Sequence, residues 1–314
     1  MSESAAAVTP SAPPVRRHRS FSPARILTIA GGTFTQLVRM KVFSFMALFA
    51  VLVIGASFAF ADLKTEQELK ILKDLSLAAM SLFCTLFAIA GTALLIPKDV
   101  EDRTLYTILC KPVPRLEYLL GKLTGVVWLI FISLICMDVL FCGVLHLKEK
   151  AIVAQQRENL EYRTFGSQEE HERAIAEVTE LAAKQGLRWD LQAAVYSIFL
   201  KAVVLGVVAL LMSAVASSTL FTIMSSLAIM VIGHAQSMAR DYLLGEGSQG
   251  VMSRLVSGAV ALIFPDFKSF DVVDAVVMGD SVPFSSLAQM TGLAAVYLTL
   301  YMLAAWVIFA DKEL

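Results

Sequence analysis

Charge is what this chain lacks most. Asp, Glu, Lys and Arg make up 17% of its 314 residues and hydrophobic residues 57%, whereas soluble domains carry about 25% charge and roughly 45–50% apolar residues. A soluble globule would have to bury that excess, and a single core stops growing at about this size. Lipid is the fitting solvent, and the mean hydropathy of +0.70 agrees. Neither sign dominates: 26 Lys and Arg face 27 Asp and Glu, so no basic field points to nucleic acid. Cysteine is scarce. Cys84, Cys110, Cys136 and Cys142 have no Cys or His at metal-ligand spacing, so no metal site is expected and they read as buried free thiols.

A phosphate-cradling loop is also missing. The pattern G-x-x-x-x-G-K-[ST] has a single Gly-Lys to build on, Gly121-Lys122, and there Leu116 replaces the first Gly and Leu123 the Ser or Thr. No alternating strand–helix stretch is large enough for a nucleotide-binding domain. The chain is therefore expected to bind no cofactor and to hydrolyse no ATP. His-Glu-x-x-His and paired in-membrane aspartates are absent too, which disfavours an intramembrane protease.

What the chain has is long apolar runs. A bilayer core takes about 20 apolar residues per helix. Val42–Ala61, Leu75–Ile96, Leu123–Leu145, Leu191–Ala216 and Leu287–Ala310 meet that length, and Leu220–Ala235 is a shorter sixth. Ser217-Ser218-Thr219 before the sixth suits a tight hairpin or a break in one bent helix. The expected fold is all-α, with six transmembrane helices. Val251–Phe264 is too short to span, carries Arg254 and ends at Pro265-Asp266. With Ser237–Tyr242 it predicts short half-buried helices between the fifth and sixth spans, in an outer region 236–286, covered by protein or at the interface.

The first span has Arg39 and Lys41 before it and Asp62 then Lys64 after it. Basic residues stay on the cytoplasmic side, so both termini are expected there. Residues 1–24 are rich in Ala, Ser and Pro with a basic cluster, the composition of a disordered tail; residues 25–314 are expected to form one transmembrane domain. In 25–41, Ile26, Leu27, Ile29, Ala30, Phe34, Leu37 and Val38 make one apolar face beside Arg25, Arg39 and Lys41. That pattern fits an amphipathic helix in the cytoplasmic interface, weakened at Gly31-Gly32.

Between the second and third spans the chain reads PKDVEDRTLYTILCKPVPRLEYLLGK, residues 97–122. Asp99, Glu101 and Asp102 suit a helix N-terminus, where the macrodipole favours anions. Leu105, Ile108 and Leu109 then give one apolar stripe, and Pro112 and Pro114 stop the helix. A short helix fixed by prolines between two spans is a lever; a solvated amphipathic surface helix would show the same spacing. The stretch resembles the loop that type-two ABC exporter permeases place between their second and third spans. The matching residues are Glu101, Thr104-Leu105, Pro112-Val113-Pro114-Arg115 and Tyr118-Leu119-Leu120-Gly121-Lys122. The order of elements is similar over the whole chain, as are the surroundings of Pro265-Asp266-Phe267 and Phe270-Asp271. A charged insertion at 146–190 is a departure that many relatives lack.

The resemblance implies a coupling helix seated in a groove of a separate ATPase subunit. Glu101, Arg103, Thr104 and Leu105 would touch it, Pro112 and Pro114 would bound it, and helix 25–41 would flank it. It further implies two ATPase chains, a second copy of this permease or a related one, and a bacterial cytoplasmic membrane.

An ionisable residue within a span is a functional candidate. Asp138 in the third span and Lys201 in the fourth either pair across neighbouring helices, or Lys201 snorkels and Asp138 takes a hydroxyl. His234 reads as an interfacial residue. Gly121-x-x-x-Gly125 supplies a surface for close helix approach. Residues 146–190 alternate in charge and predict one or two solvated helices outside the membrane. The competing readings are an ABC-like anchor or force-transmitting scaffold that moves no substrate, and an ion-coupled secondary transporter.

Overall fold

In hydrocarbon the backbone must satisfy its own N–H and C=O groups, so apolar runs become helices. The computed structural model describes residues 21–39, 42–59, 65–101, 114–161, 173, 175–176, 188–216, 218–244 and 264–311. Among them the regular elements are all helical. In chain order they are α1 (Pro23–Val38), α2 (Val42–Ala59), α3 (Thr65–Ala93) and α4 (Leu95–Glu101). Then come α5 (Arg115–Glu161), α6 (Trp189–Val215), α7 (Thr219–Leu244), a 3-10 turn (Phe267–Phe270), α8 (Val273–Met278) and α9 (Phe284–Asp311).

Five stretches are long and apolar enough to cross a bilayer: Gln67–Pro97, Arg115–Gln155, Trp189–Val215, Thr219–Gln236 and Phe284–Ala310. The chain is a polytopic helical membrane protein. Its first apolar helix, with Ser44–Ala59 as the apolar part, is shorter than these five. The window of α6 is 72% buried and that of α7 22%, so α6 is the central rod and α7 a peripheral one. α3, α5, α7 and α9 pack around α6, and Ala202 to Leu210 are buried without interruption. Phe45 and Phe49 of α2 meet Phe83 of α3, with ring centroids 6.0 and 6.2 Å apart.

Several boundaries differ from the sequence reading. Residues 65–74, expected in an outer loop, form the first turns of α3. Leu69 and Leu72 are buried there, and Glu68 reaches Lys148 at 2.6 Å. α5 is a single helix of 47 residues, about 70 Å at 1.5 Å per residue. The start of the 146–190 insertion therefore continues the third span instead of forming a separate element. No Gly or Pro lies between Gly143 and Gly166 to end it. Likewise Ser237–Tyr242 is no separate short helix but the last turns of α7, because nothing breaks the helix between Gly233 and Gly245. Residues 251–263, expected to be re-entrant, lie outside the described residues. The Ser217 region does separate two helices: Ala216 is extended (φ −78°, ψ 151°) and ends α6, and α7 packs back on α6.

The motif at Pro265–Asp271 forms a buried plug. Phe267 and Phe270 are buried, and the Asp266 carboxylate accepts Lys268 N–H at 3.1 Å and Ser269 N–H at 3.4 Å. Phe267 stacks on His234 at 5.5 Å, so His234 serves the plug, with Nδ1 2.9 Å from Met230 O. Gly233 lets the plug approach, since a Cβ there would lie 2.5 Å from Pro265 O and 2.6 Å from the Phe267 ring. Gly233→Ala is expected to cost roughly 1–3 kcal/mol by overpacking. Gly292→Ala, inside α9 where a Cβ meets nothing within 4 Å, should not lower the thermal unfolding temperature in detergent, since Ala favours a helix interior over Gly.

Candidate functional site at the base of the bundle

The segment 97–122 joins α4 to α5. α3 ends at Ala93, and after Leu94 the chain resumes as α4. Pro97 falls in the first turn of α4, where a missing N–H has no helical partner to lose. Asp99 sits two residues before the end of α4, not at the start of a new helix. It is buried, and Lys122 Nζ lies 2.6 Å from its Oδ2. Tyr118 O–H donates to the same oxygen at 2.6 Å. A buried carboxylate requires charge and hydrogen-bond compensation, and α5 supplies both from positions one turn apart.

Tyr118 is fully buried and stacks on Phe309 of α9 at 5.8 Å. Arg115 reaches the same end of α9. Its Nη1 donates to Phe309 O at 2.8 Å and also to Ala310 O, and its guanidinium lies 5.9 Å from the Phe309 ring centroid. A cation on the last carbonyls of a helix complements its dipole. α4, α5 and α9 thus meet at one joint.

α1 is the fourth member. Its contacts with α5 step in fours along both helices, so the two run parallel. Arg25 Nε lies 2.8 Å from Glu117 Oε2, and its Nη2 donates to Oε1 at 3.0 Å. Ser22 N–H donates to the same Oε1 at 3.0 Å. One turn on, a Cβ at Gly121 would stand 2.7 Å from Ile29 Cβ; one turn further, a Cβ at Gly125 would stand 2.6 Å from Thr33 Cβ and 2.8 Å from Ala30 O. α1 passes through Gly31-Gly32 without a break. Its buried residues are Ala30, Thr33 and Leu37. Leu27, expected on the apolar face, is 51% exposed. Thr33 turns inward because Gly125 of α5 leaves room for it, and its hydroxyl donates to Ile29 O at 2.9 Å.

Of the residues assigned to ATPase contact, Glu101 is the last of α4. Pro114 is exposed just before α5, and its carbonyl accepts Tyr118 N–H at 3.2 Å. Arg103, Thr104, Leu105 and Pro112 lie outside the described residues. Asp138 does not meet Lys201. Its carboxylate accepts Gln192 Nε2 at 3.1 and 3.3 Å and the Cys142 thiol at 3.5 Å. Lys201 lies nine residues beyond Gln192 on α6, about 13 Å along the axis. Of the thiols, Cys84 is buried, Cys142 half-buried and Cys136 exposed on the bundle surface.

The sequence reading missed the joint. It placed Asp99, Glu117 and Lys122 in the cytoplasmic segment between two spans without marking them as buried, whereas all three are buried, as are Glu68 and Lys73. A signal was present: Tyr118 and Lys122, and Glu117, Gly121 and Gly125, recur at i+4 and so share faces of α5. Among the described residues no three His, Cys, Asp or Glu cluster as metal ligands. What the arrangement offers is mechanical: four helices clamped where α4 ends and α5 begins. Comparison with protein-family models and with curated proteins finds no match for this chain.

Proposed function

We propose that this chain is the membrane-spanning subunit of an ATP-driven ABC-type exporter, worked by a separate ATPase subunit through residues 101–114. The observation that supports it most is the buried Asp99–Lys122 pair. It ties together the two helices from which that segment springs, and Arg25–Glu117 and Arg115–Phe309 extend the tie to α1 and α9. A push on the segment would then tilt four helices together instead of bending a loose loop. In this reading α2 is the first of six spans, residues 251–263 are re-entrant, both termini are cytoplasmic, and two permease chains face two ATPases across a bacterial cytoplasmic membrane.

The test is co-purification with a P-loop ATPase encoded in a neighbouring reading frame. Glu101→Lys should lose the complex, or its stimulation of ATP hydrolysis, while still inserting in the membrane. Unchanged binding and activity would remove the coupling role of this segment. The buried charges Asp99, Glu117 and Lys122 favour a second reading, an ion-coupled transporter. That reading requires transport by the chain alone in vesicles under an ion gradient, with no ATPase present.

A further inference from the structure

The end of the bundle opposite the joint holds a second polar site. Asp138 lies 16 residues beyond Lys122 on α5, about 24 Å along the axis. It is half-buried, and its described partners, the Gln192 amide and the Cys142 thiol, are both neutral. Among the described residues no cationic side chain pairs with it. A carboxylate inside a membrane helix is costly unless a counter-charge compensates it.

Gln192 faces two ways. Its amide nitrogen holds Asp138, and the residue also lines an open cavity of about 690 Å³ together with Arg188, Trp189 and Asp190. That volume suits a drug-sized ligand. Arg188 and Asp190 pair at 3.2 Å, and Asp190 also accepts Val282 N–H at 3.1 Å, so these two charges cancel. Lys73 lies beside Arg188 and Asp190 as well, whereas Asp138, behind Gln192, is the carboxylate that no described cation pairs with. Trp189 is 90% exposed at the cavity, and an indole face attracts cations through its quadrupole.

The geometry points to a binding site for an amphiphilic organic cation, its apolar body against Trp189 and its positive charge drawn toward Asp138 past Gln192. A bare metal ion is disfavoured, because the described residues offer no set of three ligating side chains there. Binding itself needs no ATPase; only the statement that the bound cation is cargo rests on the exporter reading.

The experiment uses the full-length chain without the ATPase, in nanodiscs of neutral phosphatidylcholine, with tetraphenylphosphonium as probe in equilibrium dialysis. One saturable site per chain is expected, weakened at least tenfold in Asp138→Asn, retained in Asp138→Glu, and weakened severalfold in Trp189→Leu. Tetraphenylborate, an anion of the same shape, should not compete. Equal affinity in Asp138→Asn and wild type overturns the proposal, as does competition by tetraphenylborate or uptake that never saturates. If Asp138→Asn folds poorly, Trp189→Leu decides, and unchanged affinity there also overturns it. A negative result leaves the ATPase reading standing, and unchanged ATPase binding and activity in Glu101→Lys leaves this one standing.

Discussion

Lys122→Met is expected to lower stability by roughly 3–5 kcal/mol, the cost of stripping one partner from a buried ion pair. The Asp99 carboxylate would keep the Tyr118 hydroxyl at 2.6 Å but lose the ammonium at 2.6 Å. Replacing both partners with apolar residues, Asp99→Leu with Lys122→Met, should recover part of that loss, since two desolvated charges disappear together while the buried Tyr118 hydroxyl loses its acceptor. Thermal unfolding of the purified protein reads both. The proposed coupling adds a second readout on which the variants part. The double variant should regain part of the stability yet still show reduced stimulation of the ATPase, because apolar packing does not fix the angle between α4 and α5 as a directional contact does. Equal stability loss in the single and double variants would show that the pair is not an independent unit.

Gly125→Leu carries the next largest effect. Even the first carbon of the new side chain would overlap Thr33 Cβ at 2.6 Å and Ala30 O at 2.8 Å, and backbone atoms of a helix cannot step aside as a side-chain tip can. Overpacking of this kind costs roughly 1–3 kcal/mol, enough to lift α1 from α5 and open the Arg25–Glu117 pair. Cleavage at Arg25 by trypsin should rise about tenfold or more, which corresponds to about 1.4 kcal/mol of lost protection. Gly143→Leu, on the same helix where a Cβ meets nothing within 4 Å, should leave cleavage at Arg25 unchanged. Equal cleavage in both variants would mean that the close approach of α1 is not what holds it.

The five apolar runs from Leu75 onward were legible because burial in lipid is a property of each segment by itself. Leu191–Ala216 in sequence and Trp189–Val215 in structure differ only at their ends. The ends were harder. Residues 65–74 lay outside the second apolar run, and 146–161 lay in a charged insertion expected to form solvated helices of its own, yet α3 and α5 run through them. The buried charges were harder still. Asp99 lies in a stretch that also holds Glu101, Asp102 and Arg103, and nothing local singles out the carboxylate that finds Lys122, 23 positions on. Gly121-x-x-x-Gly125 was readable as a packing surface, but its partner α1, some 90 residues earlier, was not. The pairing of Asp138 with Lys201 failed because opposite charges on neighbouring helices meet only at equal depth. Gln192 holds that depth, and Lys201 is about 13 Å away along the axis.

The sequence by itself determined the solvent of this protein, the helical class and the approximate course of its longer spans, because hydrophobicity summed over some twenty residues outweighs any single contact. Tertiary structure alone decided which charges are buried and with whom: Asp99 with Lys122, Glu117 with Arg25 and, among the described residues, Asp138 with the neutral Gln192 and Cys142. The reason is that an ion pair or a glycine contact depends on the rotation and relative height of two helices far apart in the chain. Both are set by the packing of all the helices at once and written in no one of them.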